Sequence, residues 1–389
     1  MKICILTPRF PFPENGGDVL RINNIARYLK TKNHNLILVS FCEKKIDLKN
    51  EYYELYDSIH LVKRNKIESL IMSFLFMLTG RPIQCGYYFS NKYLSQLKKI
   101  IRTEVPDEFI SHLSRMVPYL KLTRQQPNSI IEMTDALSKT YRLATNAKGN
   151  FIKKSIYKVE LGLIRRYEKY VIKNFPKVVL VSDSDVKYLR EESKEHITSL
   201  AVYTNGVECL PEINAAYDSN TICFVGNMRT LQNQDAVIHF VNDIFPIIKK
   251  SIPDAVFKIV GAQPSEKILS LADEQNIIVT GFVDDIQKTI SECCLNVAPV
   301  RVAAGIQNKV LVAMGCGVPV VLSSLISNAI PELHNEENCY IIDNDKLFAE
   351  ECIEIMKNKE LRMRISRSGF ETVEKHYSWQ EKLEGYEII

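Results

Sequence analysis

The chain has 389 residues, 46% apolar and 25% charged, which are ordinary values for a globular protein and long enough for two domains. Its net charge of +4 conceals a split: residues 1–200 carry 34 Lys+Arg against 20 Asp+Glu, net +14, and the remainder 16 against 26, net −10. Ten scattered cysteines with no C-x-x-C, and seven histidines that do not pair with them at ligand spacing, exclude a disulfide scaffold and a structural zinc site.

In chain order the first apolar run is Ile3–Leu6, too short for a secretory segment. It opens into Thr7-Pro-Arg-Phe-Pro-Phe-Pro-Glu-Asn-Gly16-Gly17-Asp18 and then a helix over Val19–Lys32. Paired glycines ahead of a helix allow backbone N–H groups to approach an anion, with Asp18 as a helix cap the alternative. Strand-like runs follow at Leu36–Phe41, Ile59–Val62, Phe109–Ser111, Ile130–Met133 and Val178–Val181, with helices over Tyr93–Arg102 and Ile152–Asn174 between them. The most apolar stretch, Ile67–Leu78, spans twelve residues and holds Glu68, so it reads as a buried or surface-lying helix rather than a bilayer span of about 30 Å. The turn-forming stretch Asn205–Asn220 marks a boundary.

The second half repeats the alternation, with strands at Thr221–Val225, Val256–Val260, Ile277–Thr280, Leu295–Ala298, Val318–Leu322 and Tyr340–Ile342, and a helix over Ala236–Lys250. Such alternation predicts parallel sheets with right-handed crossovers, hence two Rossmann-like α/β domains, with ligands beyond the carboxyl ends of the strands. Phe224-Val-Gly226-Asn227-Met228-Arg229 is a second strand–glycine–helix junction, with a helix cap expected near Asn233. The densest constellation runs from Ala298 through Arg301, Gly305-Ile306-Gln307-Asn308-Lys309 and Val312 to Gly317-Val-Pro319. A lysine in the first turn of a helix opposes the helix dipole and costs stability unless an anion sits there, so Arg301 and Lys309 predict a diphosphate site. Asp183-Ser-Asp185 and Asp284-Asp285 resemble metal-binding pairs but are read as helix-start caps.

These residues resemble the retaining family-4 glycosyltransferases of the GT-B fold, in their bacterial polysaccharide branch. The resemblance rests on Gly16-Gly17 with Arg21, Lys32-Asn33-His34-Asn35-Leu36, Phe224-Val-Gly-Asn-Met with Asn233 and Asp235-Ala236, Gly281-Phe282-Val283-Asp-Asp285, the Arg301–Val321 segment and Tyr377-Ser-Trp379. It implies two Rossmann-like domains facing across a cleft. The first is an acceptor domain over 1–205, the second a donor domain over 206–375, and a C-terminal helix over 376–389 returns to the first. It implies that Arg301 and Lys309 hold the donor diphosphate and that Gly281, Phe282 and Val283 flank the base. Gly16, Gly17, Gly226, Asn227, Arg229, Gly305, Ile306, Gln307, Asn308 and Val312 complete the donor site, His112 faces the donor sugar, and Asp135 lies at the cleft. Where the family carries two glutamates this chain has Ala304 and Val312, and an apolar side chain cannot accept hydrogen bonds from a ribose diol.

The expected reaction is transfer of a sugar from a nucleoside-diphosphate sugar to a saccharide or lipid-linked acceptor in surface polysaccharide synthesis (capsule, O-antigen or lipopolysaccharide). The expected enzyme is a cytoplasmic transferase using no cofactor or metal and no nucleic acid, peripheral on the inner membrane face through the basic half and Ile67–Leu78. A GT-B sugar-nucleotide epimerase and a non-catalytic nucleotide-sugar-binding subunit are the alternatives. A nucleic-acid binder would need stacking motifs and a reading helix that the chain does not display.

Overall fold

The computed structural model describes all residues except 15, 147–150, 194–198, 211–216, 274, 302–306 and 387–389. The chain divides into two compact units, Met1–Asn205 with Leu383–Ile389, and Gly206–Lys382.

The first unit holds β1 (Lys2–Thr7), β2 (Asn35–Cys42), β3 (Ser58–Lys63), β4 (Glu108–His112), β5 (Ser129–Thr134), β6 (Lys177–Leu180) and β7 (Leu200–Val202). They form one sheet in the order β3-β2-β1-β4-β5-β6-β7, with every pairing parallel. Parallel strands covered on both faces read as unbroken apolar runs, and Ile3 to Leu6 and Leu36 to Val39 are accordingly buried without alternation. Strand β7 is three residues long, too short to leave a pattern in the sequence.

The second unit holds β8 (Asp218–Val225), β9 (Val256–Val260), β10 (Ile277–Gly281), β11 (Cys293–Ala298), β12 (Val320–Leu322) and β13 (Tyr340–Ile341), in the order β10-β9-β8-β11-β12-β13 and again all parallel. In each sheet the order reverses beside the first strand, between β1 and β4 and between β8 and β11. In an open α/β sheet that reversal opens a crevice at the carboxyl ends of the strands.

Two helices differ from expectation. The segment expected to be one helix over Ala236–Lys250 is a helix Leu231–His239, a wider π turn Phe240–Ile244 and a helix Phe245–Ser251. Pro246 lies in the first turn of the last piece, and its ring and missing N–H cannot continue a regular α-helix from upstream. No single helix covers 376–389: the helix Lys359–Tyr377 ends at Ser378, which is extended at ψ 153°, and a one-turn helix Trp379–Lys382 follows. The break is anchored by Val207, whose N–H donates to the Tyr377 carbonyl at 2.7 Å. Among the described residues no helix is long and apolar enough to cross a membrane.

Candidate functional site

In the first unit a cavity of about 570 Å³ opens at the carboxyl ends of β1, β4 and β5. Its wall includes Arg9, Gly17, Asp18, Arg115, Thr134 and Asp135. Leu113 and Thr134, the residues at the ends of neighbouring strands, both adopt φ +69°. A positive φ is an outlier for a β-branched residue and clusters at functional sites, where packing must hold the strain. The Thr134 hydroxyl and Arg115 Nε are buried without a hydrogen-bond partner among the described residues. The Arg115 guanidinium lies over the Tyr88 ring, 5.0 Å from its centroid.

Arg9 donates two hydrogen bonds to the Asp18 carboxylate. Burial works against ionisation of Asp18, but these bonds and the Arg9 charge outweigh it and hold its carboxyl below the usual range. Asp18 is therefore an ion-pair partner and not the helix cap; the helix Gly17–Thr31 starts one residue before it, with Gly16 at the cap position and no side-chain cap. Asp135 is exposed at the mouth, and its carboxyl is raised by partial burial and then by the neighbouring Asp185 carboxylate. Asp185 pairs with Lys139 at 2.7 Å, and the helix beginning at Asp183 is capped by the Ser182 hydroxyl instead of either aspartate.

His112 is not on the cavity wall. It is 2% exposed at the end of β4, opposite Glu132 in register, and neither ring nitrogen has a hydrogen-bond partner among the described residues. Burial pushes its pKa down to about 3, with Arg21, Arg115 and Arg9 adding to the effect against the opposing pull of Asp18. Beside it Arg21 is fully buried and forks onto Glu132 with two 3.0 Å hydrogen bonds, its third going to Asn205 at 2.9 Å. A planar guanidinium satisfied on three sides fixes the helix Gly17–Thr31 to β5 and to the end of the unit.

In the second unit the expected residues fall at the carboxyl ends of β8 and β11. Lys309 stands in the first turn of the helix Asn308–Gly315. Its Nζ donates to Asn233 Oδ1 at 2.6 Å and lies 4.6 Å from the Phe224 ring centroid. No carboxylate pairs with it among the described residues, and burial alone lowers its pKa to about 8. Asn233 does not cap a helix. It is the third residue of the helix Leu231–His239 and hands its amide N–H to the Asn227 carbonyl at 3.0 Å, which brings the β8 loop against Lys309. Gly226 is required by this approach, because a Cβ there would lie 2.5 Å from the Asn233 amide nitrogen.

Arg301 is engaged by Asp235. The guanidinium is 54% exposed and donates to both Asp235 oxygens at 2.6 and 3.0 Å, and that hydrogen bonding lowers the Asp235 carboxyl. Arg229 is exposed, and its backbone N–H closes a turn on the Asn227 side chain at 2.9 Å. Gly281 has φ +68° at the end of β10, Phe282 is 63% exposed, Val283 packs partly against the core, and Asp285 caps the next helix by accepting from the Lys288 N–H at 2.9 Å. Gln307 is buried and Asn308 exposed at the start of the helix Asn308–Gly315. Val312 packs partly against the second unit's core, so that position offers no polar contact. Gly305 and Ile306, with Ala304, lie outside the described residues. Among the described residues no three His, Cys, Asp or Glu side chains converge as a metal site would require.

The sequence reading missed Arg9, Arg115, Thr134 and the Arg21–Glu132 pair. The available signal was position: Arg9 and Arg115 follow β1 and β4, the strands at the reversal of sheet order, and Thr134 ends the neighbouring β5.

Residues 219–358, within the second unit, match the family described as "Glycosyl transferases group 1". A relative from Klebsiella pneumoniae, described as "Uncharacterized 44.6 kDa protein in cps region", is 23% identical over 97% of this chain and 96% of its own. Among solved structures, HepE of Anabaena in complex with UDP-glucose is similar with a TM-score of 0.58 at 13% identity, over 99% of both chains. WaaG, described as a glycosyltransferase involved in lipopolysaccharide biosynthesis, gives 0.58 at 13% identity over 100% of this chain and 99% of its own. The matched domain is a glycosyltransferase domain, and the fold that carries it is GT-B.

Proposed function

We propose that this chain, a glycosyltransferase by its domain and fold, moves a sugar from a nucleoside-diphosphate sugar to a saccharide or lipid-linked acceptor in the building of a surface polysaccharide. The observation that carries the reading is Lys309: a half-buried ammonium at the head of a helix, partnered by a neutral amide and, among the described residues, by no carboxylate. The first-turn N–H groups and the ammonium together offer positive charge that an anion would satisfy. As the glycosidic bond breaks, negative charge gathers on the departing β-phosphate, and fixed donors already in place stabilise it at little reorganisation cost. Arg301 would join them by giving up Asp235.

The donor in this reading is a uridine nucleotide sugar, as in the HepE complex, and transfer retains the anomeric configuration by analogy with the resembled family. The charge on the leaving group is assigned to Lys309 and Arg301, with no metal in the scheme. The cavity of the first unit, with Arg9, Arg115 and Asp135 in its wall, would take the acceptor in this reading. The relative in a cps region supports a capsule or related polysaccharide as product.

A thermal-shift panel with UDP, GDP, ADP and TDP tests the donor site. A nucleotide at about 100 times its Kd adds roughly 2.7 kcal/mol of stability. Stabilisation by one nucleotide that is lost in Lys309→Ala supports the proposal, and no shift with any of them removes it. A second reading, a nucleotide-sugar-binding subunit without turnover, is favoured by Val312, which presents a packed methyl surface where a ribose-binding carboxylate is expected. It predicts nucleotide binding with no release of nucleoside diphosphate from the sugar donor in the presence of acceptor.

A further inference from the structure

The helix Lys66–Leu78 in the first unit turns most of its apolar side chains outward. Ile67, Leu70, Ile71, Phe74, Leu75 and Leu78 recur at helical spacing along one stripe and are each between 44% and 70% exposed. Its inner face is narrower: Ser69, Ser73 and Phe76 are buried, Met72 packs partly against the core, and the Ser73 hydroxyl donates to the Ser69 carbonyl at 2.8 Å. That inner face is pressed against the neighbouring helix Ile83–Tyr87, where a Cβ on Gly86 would come 2.4 Å from the Met72 carbonyl. Glu68, the helix's one acidic residue, is turned away and receives hydrogen bonds from the Ser90 hydroxyl and the Asn91 N–H. A contiguous apolar stripe of this kind in water is unfavourable unless something covers it.

Charge says what covers it. Directly after the helix, a cavity of about 210 Å³ is walled by Phe76, Tyr167 and Tyr170 and carries three cations, Arg81, Lys121 and Arg166, with no carboxylate in its lining. Arg81 lies over the Phe76 ring at 5.4 Å and Lys121 over Tyr170 at 4.4 Å, and none of the three is in an ion pair among the described residues. Leu122, 48% exposed, continues the apolar surface past the cavity. Three unneutralised cations beside an apolar stripe match the boundary between phosphate headgroups and acyl chains. A second copy is disfavoured, because the half of the chain that carries this face has a net charge of +14 and repels itself. At 13 residues the helix is about 20 Å long, too short to span a bilayer but suited to lying in its surface.

We propose that the helix Lys66–Leu78 seats in the surface of an anionic bilayer, with its apolar stripe at the acyl boundary and a lipid phosphate held in the cavity by Arg81, Lys121 and Arg166. The inference deepens the lipid-linked acceptor reading by naming the surface that would bring the enzyme to its acceptor. It rests on the first unit alone, and holds whether or not the second unit transfers sugar.

The test is co-sedimentation of the full chain with vesicles of phosphatidylcholine alone and of phosphatidylcholine with phosphatidylglycerol, at low and high salt. The expected result is binding to the phosphatidylglycerol vesicles that glycerol phosphate in solution does not displace. Leu70→Glu with Phe74→Glu should weaken it tenfold or more by rough estimate, since two charges enter the apolar face. Arg81→Gln, Lys121→Gln and Arg166→Gln together should weaken it about a hundredfold, at roughly fivefold per charge. All these positions are exposed, so an unchanged melting temperature separates lost binding from lost fold. Failure of wild type to bind phosphatidylglycerol vesicles at low salt overturns the proposal. So does equal binding by the Leu70→Glu/Phe74→Glu variant, which would mean diffuse charge adherence. So, too, does a dimer of wild type that ignores vesicles and is split by the same variant. Nucleotide binding measured in parallel reports on the donor site, so a failed donor reading and a failed membrane reading give different patterns.

Discussion

Lys309 makes nucleotide binding depend on pH in a defined window. Burial lowers its pKa to about 8 in the unliganded protein, so the ammonium that would meet a diphosphate is about nine-tenths present at pH 7 and about one-tenth at pH 9. A bound diphosphate favours the charged form and lifts that pKa back above the window. The dissociation constant for UDP should therefore weaken about tenfold from pH 7 to pH 9, or about 1.4 kcal/mol. The last ionisation of the nucleotide's own phosphate lies at about 6 and does not intrude. Titration calorimetry in buffers of different ionisation enthalpy should show uptake of roughly half a proton per site at pH 8. Lys309→Met removes a charged hydrogen bond, costs roughly 1.5–3 kcal/mol of affinity, and flattens the profile. Lys309→Arg keeps its charge throughout and should bind with a flat profile. A wild-type affinity that stays level from pH 7 to 9, or a slope that survives in Lys309→Met, refutes the assignment of Lys309 to the diphosphate.

The buried pair in the first unit predicts a large asymmetry: Arg21→Ala should cost about 3–5 kcal/mol by stranding Glu132, whereas Arg21→Met with Glu132→Leu should recover most of it, as measured by denaturant unfolding. His112 has a folded pKa far below its unfolded one, so its contribution is intact above about pH 6.5 and is lost as pH falls from there towards 3. His112→Phe should therefore show a shallower acid-side loss of melting temperature than wild type; an identical acid limb would show that folding does not depress the His112 pKa. Gly206→Ala would set a Cβ 2.4 Å from Trp379 Cα, backbone that cannot step aside, and should cost about 1–3 kcal/mol or more in the second unit.

The sheets were legible because parallel strands buried on both faces leave plain apolar runs such as Ile3–Leu6 and Leu36–Val39. Strand β7 was not, since three residues between turns carry no period. The break ahead of Pro246 could have been read from the proline itself, while the one at Ser378 depends on Val207, a residue distant in sequence. Lys309 was legible as a cation placed against a helix dipole, a local argument that needs only the element boundaries. Its amide partner Asn233 and the capture of Arg301 by Asp235 were not, because those pairs join residues 76 and 66 positions apart. The positive φ of Leu113 and Thr134 leaves no mark in composition, and the burial of His112 depends on what the fold lays over β4.

The first compact unit includes Leu383 onward, residues made only after the whole of 206–382. Tyr386 is fully buried in it, its ring edge-on to Tyr203 at 5.1 Å, and the Tyr203 hydroxyl donates to the Gly385 carbonyl. At about 5–20 residues per second, synthesis leaves that seat unfilled for roughly 10–35 s after residue 205 has been made. The two halves of the chain therefore cannot mature in strict succession. The half synthesised first is finished last, and a chain cut after Lys382 would carry its defect in the first unit, around Tyr203, and not in the unit that the cut ends.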